Sequence, residues 1–186
     1  MFQRRHIFLI GLSGSGKSTI GKILGKKLNR PFVDIDELIV KKKKKSIAKI
    51  FESEGEATFR KIEAQTIRQI VNTKSRPLVI TLGGGAMQSA KTRKLIRGNG
   101  ISVWLKCSLS ELSRRLMNKT DRPLLMNGRT NNSLTKSEMT KRLNQLLRDR
   151  IRNYKLADLQ LSATSASPSR IAIKIITKLR QSYAQD

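Results

Sequence analysis

Short apolar runs alternate along the chain with longer segments in which apolar residues recur every three or four positions. The short runs predict β-strands at 5–10, 31–35, 77–82, 101–105 and 158–162. The longer segments predict helices at 17–28, 46–53, 56–72, 89–97, 108–117, 137–153 and 168–182. Strands that alternate with helices are typical of repeated βαβ units. The pattern therefore predicts an α/β fold with a parallel sheet.

The length of 186 residues predicts a single domain over 1–186. One connection departs from the alternating pattern. The polar stretch from about 118 to 136 is longer than an ordinary connection between two elements of a compact α/β domain. We expect this stretch to be a mobile lid inserted into the core of the domain.

The charge of the chain bears on its partners. Lys and Arg number 39 against 13 Asp and Glu, which gives a formal net charge of +26. Such a surface attracts polyanions, including nucleic acid, without specificity. The run from Lys41 to Lys45 predicts a solvated helix end or turn. A contact with a phosphate polymer or a membrane surface is the alternative interpretation of this run.

No apolar segment approaches the roughly 18–20 residues needed to cross a bilayer. The single cysteine, Cys107, cannot form an intrachain disulfide, which is consistent with a reducing compartment. We therefore expect a cytoplasmic protein that does not associate with a membrane.

A glycine-rich segment runs from Gly11 to Thr19 between the first predicted strand and an amphipathic helix. Its sequence, GLSGSGKST, matches the phosphate-binding pattern G-x-x-x-x-G-K-[ST]. Glycines allow successive backbone N–H groups to turn toward an anion, and the helix N-terminus adds a positive dipole end. Lys17 can then reach the β- and γ-phosphates of ATP, and Ser18 can offer a hydroxyl to Mg²⁺. The predicted nucleotide-binding residues are Gly14, Ser15, Gly16, Lys17, Ser18 and Thr19.

Two more groups of residues end predicted strands. Asp34-Ile35-Asp36 ends the second strand, and the alternation of a strand would put both carboxylates on one face. One carboxylate could then belong to the metal shell, and the other could orient or deprotonate an acceptor hydroxyl. A cap on the following helix is the alternative role for a strand-end aspartate. Gly83-Gly84-Gly85 ends the third strand, where a backbone without side chains can approach a ligand closely.

Several arginines are candidate anion ligands. Arg150 lies on the apolar stripe of its helix, so its guanidinium needs an anion from the protein or from a ligand. Arg60 has Glu63 three residues later, which leaves a surface ion pair and a ligand contact both open. Arg122, in the expected lid, could reach a transferring phosphate. Arg115, before the lid, either lies along a nucleotide or faces water.

In their order along nearly the whole chain, these motifs resemble those of the shikimate kinase family. The matching segments are Gly16-Lys17-Ser18-Thr19, Asp34-x-Asp36, Phe51 through Gly55-Glu56-x-x-Phe59-Arg60, Gly83-Gly84-Gly85, Arg122-Pro123-Leu124-Leu125 and Arg150-x-x-x-Tyr154 with Ala157-Asp158. The resemblance implies a P-loop fold like that of nucleoside monophosphate kinases, with a five-stranded parallel sheet and a lid. It implies a monomeric transferase that uses ATP and Mg²⁺ to phosphorylate the 3-hydroxyl of shikimate, toward chorismate and the aromatic amino acids.

The resemblance also implies roles on the nucleotide side of the site. Lys17 matches the catalytic lysine on the phosphates, and Ser18 matches the Mg²⁺ ligand. Asp34 is similar to the outer-shell carboxylate of the metal. Arg122 matches the lid arginine that contacts the phosphates, and it is implied to be catalytic. Arg115 matches an arginine near the adenine.

On the acceptor side, Asp36 resembles the residue that binds the shikimate hydroxyls, and it is the candidate catalytic base. Arg60 and Arg150 match the pair that holds the substrate carboxylate, and Gly84 adds a backbone contact. The chain departs from the family at Lys45, where glycine is usual, and at Leu156, where glutamate is frequent. These two departures concern local stability and the surface more than the chemistry, and the high net charge is also unusual for the family.

Three other functions remain open. A kinase of another small hydroxylated acid, such as gluconate, would have a similar phosphate loop. A nucleic-acid-binding P-loop protein would suit the charge, but one Trp, two Tyr and five Phe leave few rings for base stacking. The third alternative is a kinase-like protein without activity. The presence of the expected residue at every matched catalytic position argues against it.

Overall fold

A single sheet of five parallel strands organises the computed structural model, which describes residues 5–73, 76–117 and 135–182. The strand order is β2-β3-β1-β4-β5, and all neighbouring strands are parallel. The strands are β1 (His6–Ile10), β2 (Phe32–Asp34), β3 (Val79–Thr81), β4 (Gly100–Lys106) and β5 (Leu159–Ser162). The predicted fold class is confirmed, and each strand lies at its predicted place.

Helices connect the strands and cover the sheet. They are α1 (Lys17–Leu28), α2 (Ile35–Lys43), α3 (Ile47–Thr73), α4 (Ala90–Asn99), α5 (Leu109–Leu116), α6 (Lys136–Tyr154) and α7 (Pro168–Ser182), with a short 3-10 helix at Ala86–Gln88. The two helices predicted at 46–53 and 56–72 are the two halves of α3. They meet at Gly55, whose backbone angles of φ 77° and ψ 165° are not helical. A residue with a side chain rarely adopts this φ, so the glycine permits the kink.

The core has two apolar layers, one on each face of the sheet. The alternation of β1 shows the division: Ile7 and Leu9 belong to one layer, whereas Phe8 and Ile10 belong to the other. The first layer also contains the buried residues of α1 and α7, and the second contains those of α2, α3, α5 and α6. Since β1 is central, both of its faces are buried, which accounts for its continuous apolar sequence.

Two surface segments test predictions from the sequence. The lysine run ends a helix as expected, because Lys41 to Lys43 form the last turn of α2 and Lys44 caps it in a left-handed conformation. The predicted lid, 118–136, lies outside the described residues except for its last two. Of these, Thr135 caps α6 through a capping box with Glu138, and Lys136 is already helical. Within the described ranges, no helix has the length and apolar character required to cross a membrane.

Candidate active site

A cavity of about 840 Å³ opens at the carboxyl ends of the strands. In a parallel sheet, the loops after successive strands meet at this edge, which is where ligands bind in open α/β folds. All but one of the described site residues predicted from the sequence line this cavity. Those that line it are Gly14, Gly16, Lys17, Ser18, Thr19, Asp34, Asp36, Arg60, Gly84, Arg115 and Arg150. The exception is Ser15, which is buried and donates its N–H to the carbonyl of Leu12 over 3.2 Å. Arg122 lies outside the described residues.

The phosphate loop joins β1 to α1. Gly14 and Gly16 have φ angles of 82° and 90°, and a Cβ atom on Gly14 would lie 2.9 Å from Cγ of Leu116. The first turn of α1 has no acidic residue, and Gly16 caps it without a side chain. The N–H groups of this turn can therefore receive an anion. Lys17 Nζ donates to the carbonyl groups of Gly11 and Leu12 over 2.9 and 3.0 Å, so the ammonium group lies across the loop.

Asp34 links the phosphate loop to α2. One carboxylate oxygen accepts a 2.6 Å hydrogen bond from Oγ of Ser18, and the other accepts the backbone N–H groups of Asp36 and Glu37. The cap, one of the two roles that the sequence left open, is thus present, and the same carboxylate contacts the hydroxyl group of Ser18. The prediction that Asp34 and Asp36 share one face of a strand is wrong. β2 ends at Asp34, which caps α2, so Asp36 lies in the first turn of that helix.

Asp36 and a second carboxylate, Glu63, approach the backbone of Gly83 together. A Cβ atom on Gly83 would lie 2.6 Å from Oε1 of Glu63 and 3.0 Å from Oδ1 of Asp36. Glu63 is only 1% exposed. Burial raises the pKa of Glu63 to about 7 against the attraction of Arg60, and the charge of Asp36 acts in the same direction as burial. Glu63 can therefore change its protonation near neutral pH.

Sequence reasoning treated Glu63 only as a partner of Arg60 and did not place it in the site. A signal was present in the spacing of α3. Glu63 lies four residues after Phe59 and four before Ile67, and both of these are buried. Residues at this spacing share one face of a helix, so a carboxylate between them is directed toward the interior.

Arg60 is held by two carboxylates of its own helix. Its Nη1 lies 2.9 Å from Oε2 of Glu63, and its Nη2 lies 2.9 Å from Oε1 of Glu56. The guanidinium carbon lies 5.2 Å from the ring centre of Phe59. A Cβ atom on Gly85 would overlap the guanidinium group. Arg60 therefore forms an ion pair with Glu63, one of the two contacts that the sequence left open, and also lines the cavity beside the glycine turn.

Arg150 confirms the inward orientation predicted from its place on the apolar stripe of α6. It is 8% exposed and lines the cavity, and a Cβ atom on Gly84 would lie 3.2 Å from its Nη1. One helical turn later, the hydroxyl group of Tyr154 donates to the carbonyl of Gly84. Burial raises the pKa of Tyr154 to about 12, so this hydroxyl keeps its proton at neutral pH. α6 thus fixes the glycine turn against the Arg150 guanidinium.

Arg115 joins the phosphate loop to the connection between β5 and α7. Its Nη1 donates to the carbonyl of Gly14 over 3.2 Å, and its Nη2 to the carbonyl of Ala163 over 3.4 Å. Glu111 accepts from Nε over 2.7 Å. Hydrogen bonds from Arg114 and Arg115 lower the pKa of Glu111 to about 2. Arg115 therefore lies beside the phosphate loop and lines the cavity there.

The oxygen atoms beside Lys17 fit a magnesium ion that is bound mainly through phosphate. Ser18 Oγ and the Asp34 carboxylate are hard donors in contact with each other. Within the described residues, no cluster of three or more His, Cys, Asp or Glu residues could hold a metal. Mg²⁺ suits such a sparse donor set, because it retains waters and takes few protein ligands when it binds a nucleotide.

Comparison with known proteins agrees with this geometry. The family model described as shikimate kinase matches residues 13–180. A shikimate kinase of a Sulfurihydrogenibium species is 40% identical over 177 residues, which cover 95% of this chain and 99% of that protein. A shikimate kinase of Chlorobium limicola is 42% identical over 182 residues, covering 94% and 90% of the two chains.

A solved structure of a shikimate kinase has a similar fold. The shikimate kinase from Acinetobacter baumannii, in complex with shikimate, superposes with a TM-score of 0.86 and is 28% identical. The superposition covers 98% of this chain and 96% of that chain.

Proposed function

The chain belongs to the shikimate kinase family, and from this premise we propose how its residues transfer a phosphoryl group from ATP to the 3-hydroxyl of shikimate. The observation that supports this assignment is the arrangement of the cavity. The phosphate loop with Lys17 lines the cavity, and Asp36, Arg60 and Arg150 line it where they meet the glycine turn after β3. A small hydroxylated carboxylic acid fits this distribution of charge.

On the nucleotide side, the N–H groups of the phosphate loop and the Lys17 ammonium group bind the β- and γ-phosphates. Ser18 would ligate the magnesium ion, and Asp34 would orient its waters. When bound at these residues, Mg²⁺ would supply positive charge that favours the departure of ADP. Arg115 is expected beside the nucleotide. The predicted contribution of Arg122 to the transferring phosphate stays a prediction.

On the acceptor side, Arg60 and Arg150 bind the carboxylate of shikimate, and the backbone at Gly84 contacts the ring substituents. Asp36 accepts the proton of the 3-hydroxyl as its oxygen forms a bond to the γ-phosphorus. The bond from that phosphorus to the bridging oxygen breaks, and ADP leaves with the electron pair. Glu63 is a positioning residue, because it holds Arg60 and lies beside Asp36.

The experiment that tests this function measures ADP formation from ATP and Mg²⁺ with shikimate, with gluconate, with a nucleoside monophosphate and without an acceptor. Turnover that requires shikimate supports the proposal. Activity with gluconate instead would retain the phosphate site and refute shikimate as the acceptor. Lys17→Ala should abolish most turnover, and Asp36→Asn should lower kcat by about 10²- to 10⁴-fold, the usual contribution of a general base. Circular dichroism of both variants checks that the fold is retained.

The same assay addresses the remaining alternatives. No turnover with any acceptor would favour an inactive or nucleic-acid-binding protein. We also expect a monomer in the cytoplasm, which gel filtration and cell fractionation would test.

A further inference from the structure

The lysine run interrupts the wall of the acceptor side of the cavity. Asp36, Glu37 and Val40 line the cavity from α2, and Ser46 and Ile47 line it again where α3 begins. The residues between these two stretches of wall are Lys41 to Lys45, and all five are exposed. The run therefore lies at the rim of the cavity, not on a remote face of the molecule.

The lysines of this run divide into two groups by position. Lys42 Nζ donates to the side chain of Gln69 on α3 over 3.0 Å, and Lys45 pairs with Glu54 on α3 over 3.4 Å. The other lysines continue the cavity side of α2. Lys41 lies four residues after Glu37, a spacing that places two residues on neighbouring parts of a helix surface.

A similar spacing relates Lys43 to Val40, which lies three residues earlier, lines the cavity and is itself 37% exposed. Lys44 follows as the left-handed cap of α2, two residues before Ser46 on the cavity wall. We call Lys41, Lys43 and Lys44 the cationic rim.

We propose that the cationic rim attracts the anionic acid acceptor and guides it toward Arg60 and Arg150. This inference rests on the proposed function, since it needs an acceptor that carries a carboxylate. Positive charge at the mouth of a site concentrates anions there and accelerates their association. The acidic neighbours of the rim are Glu37, on the cavity wall, and Glu54, which is paired with Lys45.

The inference predicts a particular kinetic signature. The rim acts before the chemical step, so its loss should raise the KM for shikimate and leave kcat unchanged. Its action should also depend on salt, because the screening length falls from about 10 Å at 0.1 M to about 3 Å at 1 M ionic strength. A role in polyanion binding alone would not alter the KM of a small acid.

The test compares two triple variants that remove the same number of charges. K41Q/K43Q/K44Q removes the rim, and K26Q/K27Q/K178Q is the matched control. Lys26 and Lys27 are exposed in the last turn of α1, a 12-residue helix that starts at the cavity and is about 18 Å long. Lys178 is exposed on α7, ten residues beyond Pro168 at the cavity.

At low ionic strength, the rim variant should raise the KM for shikimate about 3- to 10-fold, the lower end of electrostatic effects on association. The control variant should change it less than about twofold, and the difference between the variants should vanish near 1 M salt. Equal changes in both variants, or a changed kcat without a changed KM, would overturn the inference. If the wild-type protein shows no turnover that depends on shikimate, the proposed function itself has failed, which is a separate result.

Discussion

The Arg150 guanidinium is buried beside the glycine turn and is assigned to bind the acceptor carboxylate. Replacement by alanine removes a charge-assisted contact from a nearly enclosed position. We expect Arg150→Ala to cost about 2–4 kcal/mol of shikimate binding, which corresponds to a rise in KM of about 30- to 1,000-fold. Steady-state kinetics at saturating ATP measure this change. Arg148→Ala, an exposed position on the same helix, is the control. An unchanged KM in Arg150→Ala would refute the assigned contact.

The titration of Glu63 should make the free energy of unfolding depend on pH. Its pKa is raised from 4.5 to about 7 in the folded protein, mainly by burial. Between these values the folded state retains a proton that the unfolded state has lost. The stronger binding of this proton stabilises the folded state fully below pH 4.5, and the stabilisation is lost as the pH rises through about 7. Glu63→Gln cannot titrate and does not undergo this loss.

Thermal and urea unfolding from pH 5 to pH 8 test this prediction. The free energy of unfolding of Glu63→Gln, relative to wild type, should increase with pH by about 1–3 kcal/mol in total. Glu56→Gln removes the other carboxylate from Arg60 and controls for the loss of an ion-pair partner. A difference between Glu63→Gln and wild type that does not vary with pH would show that Glu63 titrates normally.

At the scale of elements, the glycine turn after β3 works by allowing side chains of other elements to approach its backbone. A Cβ atom on Gly85 would overlap the Arg60 guanidinium. Gly85→Ala should therefore displace the guanidinium group of Arg60 and raise the shikimate KM about tenfold or more, with little loss of stability because the displaced group ends a flexible side chain. Gly98→Ala is the matched control, since an added Cβ there meets nothing within 4 Å in α4. That variant should keep its KM and gain about 0.5–1 kcal/mol of stability. A normal KM in Gly85→Ala would contradict the close packing of Arg60.

The elements also show which parts of the site can be read from the sequence. The phosphate loop is a local motif, so its residues predict its conformation and its position between β1 and α1. Asp34 was open to two interpretations because capping and metal binding use the same side chain. The meeting of β2 with α1 brings Ser18 to Asp34 while the same carboxylate caps α2, and this arrangement depends on tertiary structure and not on the local sequence. The spacing along α3 directs Glu63 toward the interior, but its raised pKa also depends on how completely the fold buries it and on the nearness of Asp36, which the sequence does not show.

At the scale of the whole molecule, the order of the strands creates the cavity. β1 lies at the centre of the sheet, between β3 and β4, and β2 lies at an edge. The loops after β1, β2 and β3 therefore meet at one end of the sheet. Alternation of strands and helices predicted parallel strands and this common edge. The strand order itself requires the long-range pairing of β1 with β3 and β4, which apolar periodicity does not encode.

The net charge of +26 predicts a behaviour that is independent of the active site. Non-specific binding to DNA depends on the number of phosphates that are neutralised, and the binding constant falls steeply with salt. We expect unrelated duplexes to bind equally well and to lose at least about 10³-fold in affinity between 50 and 200 mM salt. Fluorescence anisotropy with two unrelated sequences measures this. Because a diffuse positive surface is responsible, K41Q/K43Q/K44Q and K26Q/K27Q/K178Q should weaken DNA binding to the same extent, although only the first should alter the KM for shikimate. A complex that resists salt and prefers one sequence would instead indicate a nucleic-acid-binding function in addition to the kinase activity.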